Sequence, residues 1–327
     1  MTSRPVRVAE AINRKLELLM PVLFPFGIVL GFTLPGVFIH LRPFVPVLFA
    51  GMTLSGALRL KVSEFGRTIR DPVPILFFMV VIRVLMPLTA KFASSVFFGE
   101  NPDTVAGFVL LFSGPVAVSS FIWVGIFKGD KALCLTLILL DTLLAPLVVP
   151  GTISVLMGET VTMDMSGIAV ALVFMVVLPT IVGVTVNKTS RGKIPAAICP
   201  YLTPLAKIFL MLVIAANSAV IAPAVRLGDP MVWKVAALCV PLSAGGFMLA
   251  KLAGIAARSG SEKKITMFFS GGLKNISVVA TIAVTFFPEA AALPTIAGIM
   301  FQQAIAAIMS KLIRRRTVPD GDITISR

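Results

Sequence analysis

Apolar runs, each about as long as a bilayer is thick, follow one another through this chain with little between them. A helix rising ~1.5 Å per residue needs ~20 mostly apolar residues to cross ~30 Å of hydrocarbon. Runs of that length fall at about 16–34, 38–58, 73–95, 104–127, 132–156, 166–186, 200–224, 231–255, 263–287 and 292–313. They predict an all-α polytopic membrane protein with ten transmembrane helices. No gap is long enough for a soluble domain, so residues 1–327 read as a single membrane domain. Composition agrees: 13% of residues are charged, against roughly 25% in soluble domains.

The net charge of +14 does not point to nucleic acid, because the basic residues sit in short loops and form no face or arm. Cys134, Cys199 and Cys239 lie in or beside apolar runs, without metal-ligand or disulfide spacing. No metal or cofactor is expected from the residues alone. Met1 to Lys15 is basic, leads into an apolar run of spanning length and shows no small-residue cleavage site, so it reads as a cytoplasmic tail.

Cytoplasmic loops of membrane proteins carry an excess of Lys and Arg. One alternating set of segments holds 22 of the 29 basic residues, including Arg59, Lys61, Arg67, Arg70, Lys128, Lys188, Lys264, Arg314 and Arg327. The other set holds Arg42, Lys91, Arg226 and Lys234. That bias places both termini in the cytoplasm of an inner (plasma) membrane, with an even number of spans.

The fourth and ninth runs are the least helix-like. One reads Phe112-Ser113-Gly114-Pro115 and the other Phe269-Ser270-Gly271-Gly272, an offset of 157 residues and close to half the chain. Five spans per half would set the halves, about 16–156 and 166–313, in opposite orientation. Inverted repeats with one interrupted helix each are a transporter pattern. The two broken helices are expected to cross at mid-membrane. Freed backbone groups are tolerable there only where they line a cavity or bind a ligand. The plainer reading is two ordinary kinks.

Arg83, Asp141 and Lys274 lie about ten residues into their runs. Facing lipid, each would cost at least ~2.5–3.5 kcal/mol, so each must face the bundle interior. Two positive charges and one negative leave a surplus that suits a small monoanion such as a carboxylate. Alternatively, Asp141 pairs with Arg83 or Lys274 only to tie helices together. Asn217, Ser218, Gln302 and Gln303 lie near the same depth and singly suit helix–helix hydrogen bonds. Lys207 is placed to snorkel. His40 reads as a surface residue, and Trp123, Trp233 and Tyr201 as packing or interfacial residues. No His-Glu-x-x-His pattern or nucleophile–base constellation is present, so an enzyme is not expected.

Several short motifs occur in order: Met86-Pro87, Gly114-Pro115, Lys128-Gly129-Asp130, Ala145-Pro146-Leu147 with Pro150, and Gly272-Leu273-Lys274-Asn275. Together they make the chain resemble the bile acid:sodium symporter family over nearly its whole length. The resemblance implies ten helices: a panel of spans 1, 2, 6 and 7, and a core of spans 3–5 and 8–10. It also implies two sodium sites, and there the chain departs. The family's polar sodium ligands fall here on Ser120, Phe121, Cys134, Ile138 and Ser270, where the family's Glu is absent. Those of the second site fall on Ser270, on Ile82 or its neighbour Arg83, and on Lys274.

These departures predict a secondary transporter of a small organic anion, working by alternating access without sodium. The Lys274 ammonium would replace the ion, leaving room for proton coupling through Asp141. A sodium-coupled symporter with an altered ion site, or an uncoupled facilitator or channel, is the alternative. Candidate substrate or coupling residues are Lys274, Asn275, Asp141, Arg83, Ser119, Ser120, Ser270, Gly271, Gly272, Gly114, Pro115, Asn217 and Gln302. The expected partners are the organic anion and the lipid bilayer.

Overall fold

A computed structural model describes residues 4–60, 68, 71–158, 164–223, 225 and 228–317. Lys61, Arg67, Arg70, Arg226 and Arg327, which carry part of the charge bias, lie outside the described residues.

Among the described residues every regular element is a helix. In order, the principal helices are α1 (Arg4–Thr33), α2 (Val45–Ala57), α3 (Pro72–Val80), α4 (Met86–Phe98), α5 (Pro102–Ser113), α6 (Ser120–Ile126) and α7 (Lys131–Met157). There follow α8 (Met165–Leu172), α9 (Leu178–Thr189), α10 (Lys193–Ile221), α11 (Pro230–Ala256), α12 (Ser261–Gly272), α13 (Ile276–Phe286) and α14 (Glu289–Thr317). A short helix, Pro35–Phe38, and a 3-10 turn, Ile39–Phe44, lead into α2.

The starts of these helices are written in the sequence. Asn101, Asp130, Asp164 and Asp229 each cap a helix, their side chains accepting from the backbone N–H of Thr104, Leu133, Gly167 and Met231. The Gly167 N–H and the Ser166 hydroxyl also hold the Asp164 carboxyl below the usual carboxylate range. Pro72, Pro102 and Pro230 stand at first helical positions, where a missing N–H costs nothing.

Two π-turns follow from two further prolines. A proline in a helix clashes with the carbonyl four residues back. Pro87 and Pro179 meet this problem at Arg83 and Met175, and the helix widens to a π-turn over Val81–Leu85 and Val173–Val177. Arg83 therefore sits in a local widening of its helix.

The expected ten spans are not met. Seven helical segments among the described residues are long and apolar enough to cross a membrane: Pro35–Ala57, Pro72–Phe98, Lys131–Met157, Met165–Thr189, Lys193–Ile221, Pro230–Ala256 and Glu289–Ile313. The fourth and ninth runs break into α5 with α6 and α12 with α13, none of which exceeds 12 residues. At ~1.5 Å per residue each piece is too short to cross alone. The first run lies in α1, whose first half carries Arg4, Arg7, Glu10, Arg14, Lys15 and Glu17. Its uncharged remainder, 18–33, falls short of the ~20 residues a span needs. The two-by-five arrangement of ten transmembrane helices is thus replaced by a polytopic all-α fold with seven such segments.

The helices pack in two groups. In one, α1 and α2 lie on α10, and α2 also on α9. In the other, α5 packs on α4, α7 and α14, while α11 packs on α3, α12 and α14. The core is continuous through both, with Phe78, Phe108, Phe247, Phe268 and Phe269 fully buried.

Candidate functional site

Each interrupted run stops where its sequence forbids a further turn. Pro115 disfavours helical dihedrals at the residue before it, and Gly114 is extended at φ −57°, ψ 151°. After Gly271-Gly272 the chain is likewise extended at Leu273 (φ −104°, ψ 109°). Small residues are needed here as well. A Cβ on Gly114 would lie 2.4 Å from Val279, one on Gly271 2.3 Å from Ala250, and one on Gly272 2.2 Å from the Phe247 ring.

The two extended segments meet as an antiparallel bridge, Val116 opposite Lys274. Ala117 N–H donates to Leu273 C=O (2.9 Å), and Asn275 N–H donates to Pro115 C=O (2.7 Å). Backbone groups freed by one break thus satisfy those freed by the other, as a water-poor interior requires.

Side chains satisfy more of them. Asp141, on α7 and fully buried, accepts at Oδ2 from Val116 N–H (2.7 Å). Its Oδ1 accepts from Arg83 Nε (2.7 Å) and from Arg83 Nη2. Arg83 also donates through Nη1 to Ser113 C=O, at the end of α5. The pair thus sets a cation on the carbonyl end of α5, the sign that a helix C-terminus favours, and a carboxylate on an amide freed by the break. At the other break the clamp is neutral. Gln302, on α14, accepts at Oε1 from Lys274 N–H (2.8 Å) and donates from Nε2 to Lys274 C=O (3.0 Å).

Of the two partners open to Asp141, the structure takes Arg83. Lys274 is left over: it is 3% exposed, and its Nζ has no hydrogen-bond partner among the described residues. Asp141 meanwhile accepts from Arg83 at Oδ1 and from the Val116 amide at Oδ2.

The positions onto which the resemblance maps the sodium ligands lie partly together. Cys134 Sγ lies 3.6 Å from Ser120 Oγ and 3.5 Å from Ser270 Oγ, within hydrogen-bonding range of both, so the three groups satisfy one another. Phe121 and Ile138 offer no oxygen side chain. Two hydroxyls and a thiol are the side-chain groups these positions bring together.

The remaining expected residues divide. Ser119 and Asn275 are half-buried beside the bridge, as is Ser277, which the sequence did not single out. Asn217 lies apart, donating to Thr281 Oγ1 of α13 (3.0 Å). Gln302 forks onto the Lys274 backbone, as described above. Trp123 joins α6 to the rest by stacking on Phe269 (5.6 Å between centroids) and donating to Gln303 Oε1 (3.3 Å). Lys207 does not snorkel freely: its Nζ donates to Asn13 Oδ1 (2.7 Å). His40, Tyr201 and Trp233 are exposed. The role of Ser113 and Val116 as backbone partners had no sequence signal, because any residue supplies those atoms.

Gln302→Ala removes two hydrogen bonds and leaves the buried Lys274 amide unpaired, while the Lys274 carbonyl keeps the Ile276 N–H (2.9 Å). At ~1 kcal/mol each, the expected loss is about 2 kcal/mol, read as a lower melting temperature in detergent. An unchanged melting curve would show that the fork does not hold the break.

The sequence pattern of the Sodium Bile acid symporter family matches residues 11–224. The uncharacterized protein YbaS of Bacillus subtilis is 34% identical over 296 residues, covering 90% of this chain and 97% of that protein. The uncharacterized sodium-dependent transporter YocS of Bacillus subtilis is 25% identical over 171 residues, 52% of this chain and 53% of its own length. The probable chloroplastic sodium/metabolite cotransporter BASS2 of Oryza sativa subsp. japonica is 24% identical over 317 residues, 96% of this chain and 74% of its own length.

Proposed function

The chain belongs to the Sodium Bile acid symporter family of secondary transporters, and from that premise we propose that it carries a small organic anion by alternating access, without sodium. The observation that carries the reading is the Lys274 amino group, buried on a helix break with no hydrogen-bond partner among the described residues. An ammonium there supplies the charge that a bound cation would bring, and it repels a cation from the same place. With Arg83 and Asp141 cancelling each other, one positive charge is left to attract an anion. Half-buried Ser119, Asn275 and Ser277, beside the bridge, offer hydroxyl and amide donors for a carboxylate. The N-terminus of α13 adds backbone N–H groups to them.

In this reading α1, α2 and α8–α10 form the panel, and α3–α7 with α11–α14 form the core. The substrate sits between them, and the protein lies in the plasma membrane with both termini cytoplasmic. The crowding of Lys and Arg around both chain ends, Arg4, Arg7, Arg14 and Lys15 at one and Lys311, Arg314, Arg315 and Arg316 at the other, supports that orientation.

Proteoliposomes decide the coupling. Carboxylates that raise the melting temperature of the purified protein are selected first, then offered as an inward gradient in sodium or choline medium. Uptake is expected to be equal in both. A requirement for sodium would refute the reading and return the chain to the behaviour that the name of YocS describes. Exchange without any ion gradient would identify an uncoupled facilitator.

A further inference from the structure

Arg42 reaches across the boundary between the two helix groups. It lies in the 3-10 turn Ile39–Phe44, ahead of α2. Its Nη2 donates to the carbonyl of Val284 (3.0 Å), two residues before the last residue of α13. The last four carbonyls of a helix have no partner within it, and a cation is favoured at that end. The contact therefore meets a demand of α13 and not only of Arg42.

Two neighbours strengthen the same boundary. One turn earlier on α13, Thr281 Oγ1 accepts from Asn217 on α10. At the tip of α13, the Phe286 ring lies against Gly167, where a Cβ would come within 2.7 Å of it. So α13, which packs mainly on α14 of its own group, is also engaged by the 3-10 turn before α2, by α10, and by α8, which itself packs on α7. The other half of the same broken run makes no such crossing among its main contacts: α12 packs on α3, α6, α7, α11 and α14, all in its own group. One run thus adds contacts across the boundary at one end and packs within its own group at the other.

We infer that Arg42 is a gate residue, closing the transporter at the α13 end through the Val284 carbonyl. This deepens the alternating-access reading above and rests on it. Opening at that end requires the Arg42–Val284 bond to break, along with the Asn217–Thr281 contact beneath it. In the proposed orientation this is the extracellular end. Arg42 is exposed and its partner is a neutral carbonyl, so the bond biases the gate without locking it. A bias of about tenfold in the open population fits a hydrogen bond of ordinary net strength.

The test needs no substrate. A reporter thiol is introduced as Val284→Cys, which keeps the backbone carbonyl and replaces a side chain that is 7% exposed. The full chain is purified in detergent and its labelling by a soluble maleimide is timed. The native Cys134, Cys199 and Cys239 are buried, and the chain without the reporter gives their background. Adding Arg42→Ala is expected to speed labelling about tenfold. Arg42→Gln, too short to reach, should behave alike if the alanine variant folds poorly. Arg42→Lys, still a cationic donor, should return most of the slow rate.

Equal rates for the parent and both shortened variants would overturn the gate. So would an Arg42→Lys rate as fast as that of alanine. Faster labelling in a protein that takes up no carboxylate would leave the gate standing and remove the anion reading instead.

Discussion

Replacing Arg83 by alanine is expected to cost the protein about 3–5 kcal/mol of stability, the usual penalty for removing one partner of a buried ion pair. Asp141 is fully buried and would keep only the Val116 amide as a donor. Ser113 C=O would lose the guanidinium that covers it. Against a typical total of about 5–15 kcal/mol, that is a large fraction. Asp141→Leu should be about as damaging, because it strands Arg83 instead. The double variant Arg83→Met with Asp141→Leu should recover most of the loss, since apolar replacements of similar volume are often neutral or stabilising. Thermal unfolding of the four proteins in one detergent measures this. Single variants that melt with the parent would show that the pair is not what holds α5 and α7 at the break. Recovery of stability without recovery of uptake would separate the pair's hold on the helix break from any part in transport.

Much of this site was legible in the sequence, and the parts that were not share one cause. The breaks could be read because Gly114-Pro115 and Gly271-Gly272 act locally, on their own dihedrals. Arg83, Asp141 and Lys274 could be assigned to the interior because a charge facing lipid is costly wherever its partner lies. Which cation takes Asp141 could not be read: both choices balance charge equally, and the outcome depends on the register of helices 58 residues apart in sequence. Gln302 was singled out for its depth, yet its target is a backbone that any residue would supply. Arg42 reaches a carbonyl 242 residues away, beyond any periodicity. The count of spans failed for a different reason. Run length measures how far apolar composition extends, not whether the helix is continuous: two of the ten runs are cut at their breakers, and the first is too short once the charged half of α1 is set aside.

Lys274→Met should move stability and transport in opposite directions. Methionine is close to lysine in length and carries no charge, so it fills the same space without a buried ammonium that has no acceptor. Relieving an unpaired buried charge should raise stability by roughly 1–4 kcal/mol, by analogy with apolar replacement of buried charged groups. Uptake of the organic anion should fall at least tenfold, because with Arg83 already neutralised by Asp141 no surplus positive charge remains. Lys274→Gln sets the two contributions apart. It keeps a polar donor but not the charge, so it should melt below the methionine variant and transport no better. Lys274→Arg keeps the charge in a larger, forked group, and should retain some uptake while losing stability to overpacking against a close-fitting interior. The informative comparison is between melting temperature and uptake for the same protein. A methionine variant that is less stable than the parent would mean the ammonium had a partner that held it. One that is more stable and still carries the anion at the parental rate would mean the charge at the break serves no substrate. Only gain in the first measurement with loss in the second fits a lysine kept at a cost to folding because the transported anion needs it.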